Sequence, residues 1–189
     1  MMKKVAKVKE KWKGKEWYPI VAPKEFNSLV IGETPSLDPK LLVGRVIETS
    51  LMDLTGESGK YYIKLFFKVS EVDGNMAVTK FFGHECTRDY VARIVQVRTT
   101  RIDTNEIINF KDGKMRVKSI AICNRNVSIK VEKDVRAAVR KMINERLQGM
   151  TSEEFIKGMI AGKVQAGIRQ DLNKIYPVRF FEIRKTEIM

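Results

Sequence analysis

Two tight-turn signatures set in alternating text constrain this chain more than any other feature: VDGN at 72–75 and KDGK at 111–114. An Asp-Gly pair suits a two-residue hairpin turn, because glycine reaches positive φ without a Cβ penalty. Ahead of the first turn, Ile63, Leu65, Phe67 and Val69 fall on one face of an extended chain, with Lys64, Phe66 and Lys68 on the other. MAVTKFF returns after it. Around the second turn, Ile107, Ile108 and Phe110 precede and MRVKSIAIC follows. Hairpins in succession pair antiparallel and curl into a sheet or barrel. Residues 41–127 therefore read as mainly strands, beginning with the β-branched LLVGRVIETSL at 41–51. One short helix interrupts them, with Thr87 as N-cap and Asp89 in its first turn, ending near Val95.

The flanks read differently. Val135, Val139, Met142, Ile143 and Leu147 recur at helical spacing, and Gly149 offers a stop. Thr151 and Glu154 then stand as a capping box for further helix to about Lys174, weakened by Gly158, Gly162 and Gly167. Pro177 ends it, and VRFFEIRKTEI resumes as a strand that has to join the earlier sheet. Residues 17–40 hold four of the five prolines and are expected to wrap irregularly. Residues 1–16 set seven lysines against two glutamates with little to bury, the pattern of a basic arm that is disordered alone.

The expected architecture is thus α+β: a distorted antiparallel β-barrel or curled sheet, with helices in the C-terminal third and a basic N-terminal extension. Residues 1–16 form the arm and 17–189 a single α+β domain. Within it, 17–40 wraps, 41–127 is mainly strands, and 128–189 holds the helices and a final strand.

Charge narrows the function. Lys plus Arg number 36 against 23 acidic residues, a net charge of +13. Such an excess repels itself in a compact state unless a polyanion relieves it, which points to nucleic acid. Lys3, Lys4, Lys7, Lys9, Lys11, Lys13 and Lys15 are candidates to track phosphates, with Trp12, Trp17 and Tyr18 available to stack on bases. Anchoring the arm to the domain is the competing role for Trp17 and Tyr18. In the long helix, Lys133, Arg136 and Arg140 fall within about 60° of one another, as either a solvated face or a backbone contact. Lys64, Lys68, Arg116 and Lys118 are further candidates on the sheet.

Catalytic chemistry finds little to work with. There is one histidine, His84, and two cysteines, Cys86 and Cys123, read as buried free thiols of an intracellular protein. GESGK at 56–60 and GMIAGKV at 158–164 lack the four-residue spacing of a phosphate loop, and neither has Ser or Thr after its lysine. His84-Glu85 opens like a zinc-protease helix, but Arg88 stands where the second histidine belongs. No cofactor, metal or membrane partner is expected. With no long apolar run and no apolar signal stretch, the location is expected to be cytoplasmic.

Further text carries a resemblance. KEWYPIVAPKEF at 15–26, GET at 32–34, GRVIETSLMDL at 44–54, FFGHECTRD at 81–89, VRAAVRKM at 135–142 and IYPVRFFEIRKTEIM at 175–189 occur in this order. The chain resembles the archaeal and eukaryotic small-subunit ribosomal protein family S3Ae, also called eS1, and looks like an archaeal member. The resemblance implies a non-enzymatic constituent of the small-subunit platform, bound to rRNA near its 3′ end and near the mRNA exit. It implies neighbouring small-subunit proteins as partners, with mRNA a further candidate, and a distorted barrel with helices. The matching basic positions are Lys15, Lys24, Arg45, Arg88, Arg136, Arg140 and Lys141; the lysines before residue 15 match in character only. A free RNA chaperone or regulator and a metal-dependent nuclease are the competing functions. Sedimentation with small subunits and an RNA cleavage assay separate them.

Overall fold

The structure, a computed structural model, describes residues 14–189. Lys3, Lys4, Lys7, Lys9, Lys11, Lys13 and Trp12 lie outside the described residues. The contacts divide the chain into two compact units. The first comprises the described residues up to Ile47 together with Lys68–Lys80; the second comprises Glu48–Phe67 and Phe81–Met189.

In the first unit, β1 (Glu16–Val21) and β2 (Val30–Ser36) form an antiparallel pair, Glu16 opposite Ser36 and Ile20 opposite Gly32. These strands correct the expectation of an irregular segment at 17–40. The prolines are accommodated rather than excluded. Pro19 and Pro35 sit in strands whose second edge is almost unused: β1 has another neighbour only at Ile20 and Val21, which run parallel to Ala77 and Val78. A missing N–H costs little there. Pro23 caps one 3₁₀ turn (Lys24–Phe26) and Pro39 begins another (Pro39–Leu41). Tyr18, Ile20, Leu42, Val69 and Ala77 make the core of this unit.

Six further strands and, among the described residues, five α-helices follow. They are β3 (Val46–Ser50), α1 (Leu51–Thr55), β4 (Ile63–Asp73), β5 (Met76–Cys86), α2 (Arg88–Ile94), β6 (Arg101–Phe110) and β7 (Gly113–Cys123). The C-terminal third is α3 (Ile129–Leu147), α4 (Ser152–Ile160), α5 (Lys163–Leu172) and the last strand, β8 (Val178–Ile188). Both hairpins form as the turn text predicts: Gly74-Asn75 joins β4 to β5 and Lys111-Asp112 joins β6 to β7. Gly74 has φ +56°, in the left-handed region that the turn demands. LLVGRVIETSL forms a shorter strand than expected, because Ser50 caps α1 by accepting the Met52 amide.

In the second unit β8 does pair within the earlier sheet, antiparallel to β7 over Met115–Cys123 and to the end of β5 at Gly83–Glu85. The ladders run in the order β2-β1-β5-β8-β7-β6, with β3 and β4 beside that path. Among the described residues β6 and β2 do not pair, so the sheet is open and the barrel form of the expectation is corrected. A curled sheet needs no closure when helices cover a face.

Gly83 shows how closely two strands approach. A Cβ there would stand 2.3 Å from the Thr186 carbonyl oxygen, a distance no side chain tolerates. α3 buries Val135, Val139, Ile143 and Leu147 and contacts β6. Met142, expected on the same face, is only half-buried. The capping box of Thr151 and Glu154 forms. The expected single helix beyond it is broken in two at Gly162, φ +76°. Phe110 and Phe155 meet with ring centroids 5.2 Å apart, joining β6 to α4.

Candidate nucleic-acid interface

Many cations of the second unit have an acid beside them. Lys64 pairs with Glu48 at 2.6 Å; Lys118 and Lys185 both reach Glu187, at 3.3 and 3.2 Å, and Arg116 lies 3.7 Å from it. The positive charge of the candidate sheet face is therefore partly offset where Glu187 sits; burial pushes that carboxyl up, but Lys185 and Lys118 outweigh it and hold the group below its ordinary range. The α3 stripe is matched as well: Arg136 with Glu132 at 2.5 Å, Arg140 with Glu106 at 2.7 Å, and Lys141 with Glu145 at 3.7 Å. Lys133 is exposed and has no such pair among the described residues.

Two hollows break this pattern. The first, about 330 Å³, gathers Arg88 from the start of α2, Arg101 from the start of β6 and Arg184 from β8, with Glu85 as its one acid. Glu85 is engaged by Lys185 at 3.0 Å and Arg101 by Asp103 at 2.9 Å, so Arg88 and Arg184 are left without a carboxylate. The Arg184 Nε–H is enclosed and has no acceptor. An enclosed donor without a partner is costly, and an anion oxygen is the acceptor that a guanidinium accommodates best.

The second hollow is wider, about 610 Å³, and holds no acid at all. Its cations are Arg98 in the turn after α2, Arg125 in the loop after β7, and Arg179 at the start of β8. The turn is stiffened by Thr99, whose hydroxyl donates to the Gln96 carbonyl at 2.6 Å. Arg98 is held at φ +65°, a conformation that costs a non-glycine residue energy and projects the exposed turn. Val97 beside it is 91% exposed. Arg179 donates to the Gln96 side chain and lies 5.3 Å over the Phe180 ring. Three guanidiniums, amide side chains and an exposed apolar residue on an open concavity suit a sugar-phosphate backbone.

The other predicted residues are scattered. Trp17 is 55% exposed and offers a ring at the surface of the first unit. Tyr18 is 3% exposed, with its hydroxyl donating to Glu16 at 3.3 Å, so its ring is committed to the core and does not reach a base. Lys15 is half-buried and Lys24 exposed. Arg45 is spent on structure: it donates to Thr34 Oγ1 at 2.7 Å and to the carbonyls of Pro35 and Leu41. Of the sequence candidates among the described residues, Arg88 lines one of these two hollows. Arg98, Arg101, Arg125, Arg179 and Arg184 went unnoticed because they come from separate stretches of the chain, and only the β5-β8-β7-β6 pairing brings those stretches together.

The residues that might have suggested catalysis are structural. His84 is buried, its Nε2–H donating to the Ile183 carbonyl at 2.9 Å and its Nδ1 accepting from the Thr186 hydroxyl at 2.7 Å. Burial pushes the imidazole down to about 4, so it stays neutral. Cys86 and Cys123 are buried and free, and burial pushes the Cys86 thiol up to about 12. Among the described residues no three His, Cys, Asp or Glu side chains are grouped to hold a metal, and no helix is long and apolar enough to cross a membrane.

Residues 3–189 match the Ribosomal S3Ae family. The chain is 38% identical over 185 residues to the small ribosomal subunit protein eS1 of Desulfurococcus amylolyticus, spanning 97% of this chain and 87% of that one. It is 37% identical over 184 residues to the eS1 protein of Methanothermobacter thermautotrophicus, with coverage of 97% and 94%. With the eS1 protein of Methanocaldococcus jannaschii it shares 35% over 188 residues, with coverage of 99% and 85%.

Proposed function

The chain belongs to the ribosomal S3Ae family, and from that premise we propose that it is a structural constituent of the small ribosomal subunit that holds rRNA by neutralising phosphates and fitting their shape. The family is one of ribosomal proteins, not of enzymes, and its place is the ribosome in the cytoplasm. Its partners are small-subunit rRNA and adjoining small-subunit proteins. We place it on the platform, near the rRNA 3′ end and the mRNA exit, with mRNA as a further contact.

The observation that carries the reading is the hollow of Arg98, Arg125 and Arg179. Three arginines converge there with no acid among the lining residues, whereas Arg136 and Arg140 on α3 each have a carboxylate beside them. The pocket of Arg88 and Arg184 adds a second seat for a phosphate. Lys3, Lys4, Lys7, Lys9, Lys11, Lys13 and Lys15 extend the contact along the backbone. Each phosphate neutralised releases condensed counterions, so log affinity falls with log salt by about 0.7–0.9 per contact.

The test is binding of the purified chain to small-subunit rRNA across a salt series, together with sedimentation through sucrose gradients. The expected result is a steep inverse slope that flattens by several units when residues 1–16 are removed, and co-sedimentation with small subunits. A slope near zero, or absence from the subunit fraction at moderate salt, overturns the proposal.

A further inference from the structure

A second kind of site lies where α4 and α5 meet the sheet. The break at Gly162 turns the chain so that Gln165, on the first turn of α5, folds beneath the end of α4. Its side-chain Nε2–H donates to the Met159 carbonyl at 3.0 Å. Its Oε1 is enclosed, the residue being 9% exposed, and has no donor. Gln165 lines a cavity of about 200 Å³ together with Glu182 of β8, the rings of Tyr62 and Phe180, and the cations Lys60 and Arg169.

The chemistry of that lining is specific. The volume is below the roughly 300–1,000 Å³ of sites for drug-sized ligands and suits a single heterocycle. Tyr62 is held flat against Tyr90, centroids 3.7 Å apart and planes 12° apart, so one wall is a preformed ring stack. Glu182 Oε1 accepts the Tyr90 hydroxyl at 3.2 Å, and a carboxylate has lone pairs for further donors. Arg169 spends its Nε–H on the Val178 carbonyl at 3.4 Å and has other N–H groups to offer. The cavity thus presents one acceptor that wants donors, the Glu182 carboxylate, next to donors that want an acceptor, and the orphaned amide carbonyl of Gln165 joins it only when that side chain turns.

Among the RNA bases, guanine alone carries two adjacent donor groups, N1–H and the 2-amino group, beside an acceptor, O6. Adenine and cytosine carry one amino donor next to a ring acceptor, and uracil one N–H between two carbonyls. We propose that this cavity receives an unpaired guanine drawn out of the RNA, its Watson–Crick edge read by Glu182 and Gln165 and its ring against Tyr62. Bases splayed from loops and bulges are the features that proteins read sequence-specifically in RNA. The inference rests on the reading that the partner is RNA, and it adds base selectivity to a surface otherwise built for phosphates.

The test compares short fluorescent single-stranded RNAs that differ only at one central base, titrated against the full chain by anisotropy. Guanine is expected to bind on the order of 10-fold tighter than adenine, cytosine or uracil, with inosine, which lacks the 2-amino group, in between. Glu182→Gln and Gln165→Met should bring guanine within about twofold of adenine, while the salt dependence of rRNA binding is unchanged. Melting temperatures check that both variants fold, and Glu182→Gln decides if Gln165→Met does not. Equal affinity for guanine and adenine in the unaltered chain, or a preference that survives both substitutions, overturns the guanine site and leaves the phosphate reading standing. Failure of the unaltered chain to bind any RNA overturns both.

Discussion

α3 and the hollow of Arg98, Arg125 and Arg179 are both arginine-bearing, yet they dispose of their charge in opposite ways. On α3, Arg136 and Arg140 lie within 2.5 and 2.7 Å of carboxylates, and Lys141 faces Glu145 one turn away. In the hollow no carboxylate is present. A basic stripe on a helix is therefore a poor guide to where a polyanion binds. A phosphate approaching α3 has to displace an existing carboxylate, whereas at the hollow it meets guanidiniums with no carboxylate to give up. Exposed pairs are weak, about 0–1 kcal/mol, so α3 is not closed to RNA; it simply gains less from it. The same contrast between supplied and unsupplied groups runs inside the second unit, where His84 has both ring nitrogens satisfied and Gln165 and Arg184 each have an atom that is not.

Four measurements break or sharpen this contrast. The largest effect belongs to the satisfied interior. His84 titrates near 6.5 when unfolded and at about 4 when folded, so the unfolded chain takes up its proton first as pH falls. Stability that is full above 6.5 is then lost progressively as pH drops through about 4, by roughly 3 kcal/mol in all. Chemical denaturation at a series of pH values reads it, and a flat profile over that window means the imidazole is not sealed as described. Next comes the hollow: replacing Arg98, Arg125 and Arg179 together by alanine should weaken rRNA binding about 100-fold at low salt and flatten the salt slope by about 2–3. An unaltered slope removes the hollow from the interface.

Third is Glu187, which serves Lys118 and Lys185 with Arg116 nearby. Glu187→Gln should cost about 1 kcal/mol in a thermal melt, because three cations lose their shared acid. The new surplus charge should strengthen rRNA binding only slightly, and a large gain would mean that the sheet face, not the hollow, meets the backbone. The smallest effect is expected at α3, where Lys133→Ala, Arg136→Ala and Arg140→Ala combined should change rRNA affinity by less than about threefold. A loss as large as that of the hollow variant erases the distinction between the two regions.

Local signals were the legible ones. The two Asp-Gly turns, the alternation around Ile63–Val69, the Thr151 capping box, the buried stripe Val135-Val139-Ile143-Leu147 and the return of the last strand are all short-range patterns, and each formed. What misled was the proline-rich stretch. Proline content argues against a central strand, but β1 and β2 use their prolines at edges, and whether an edge is free depends on partners far along the chain. Barrel closure failed for the same reason, being a matter of whether the outermost strands meet. The site was less legible still. Tyr18 looks like a stacking residue until its strand register turns it inward. The arginines that converge come from positions 98, 125 and 179, and nothing within any one of those segments marks them.

The two buried thiols have a practical consequence. Only the thiolate reacts readily with alkylating reagents, and burial keeps both sulfurs protonated and covered, one at the end of β5 and the other at the end of β7. Modification at neutral pH must therefore wait for a strand end to come away from its neighbours. Cys86 and Cys123 are thus two native clocks, ticking only when their own stretch of sheet opens, and their rates with and without bound RNA time how firmly each end of the sheet is kept shut.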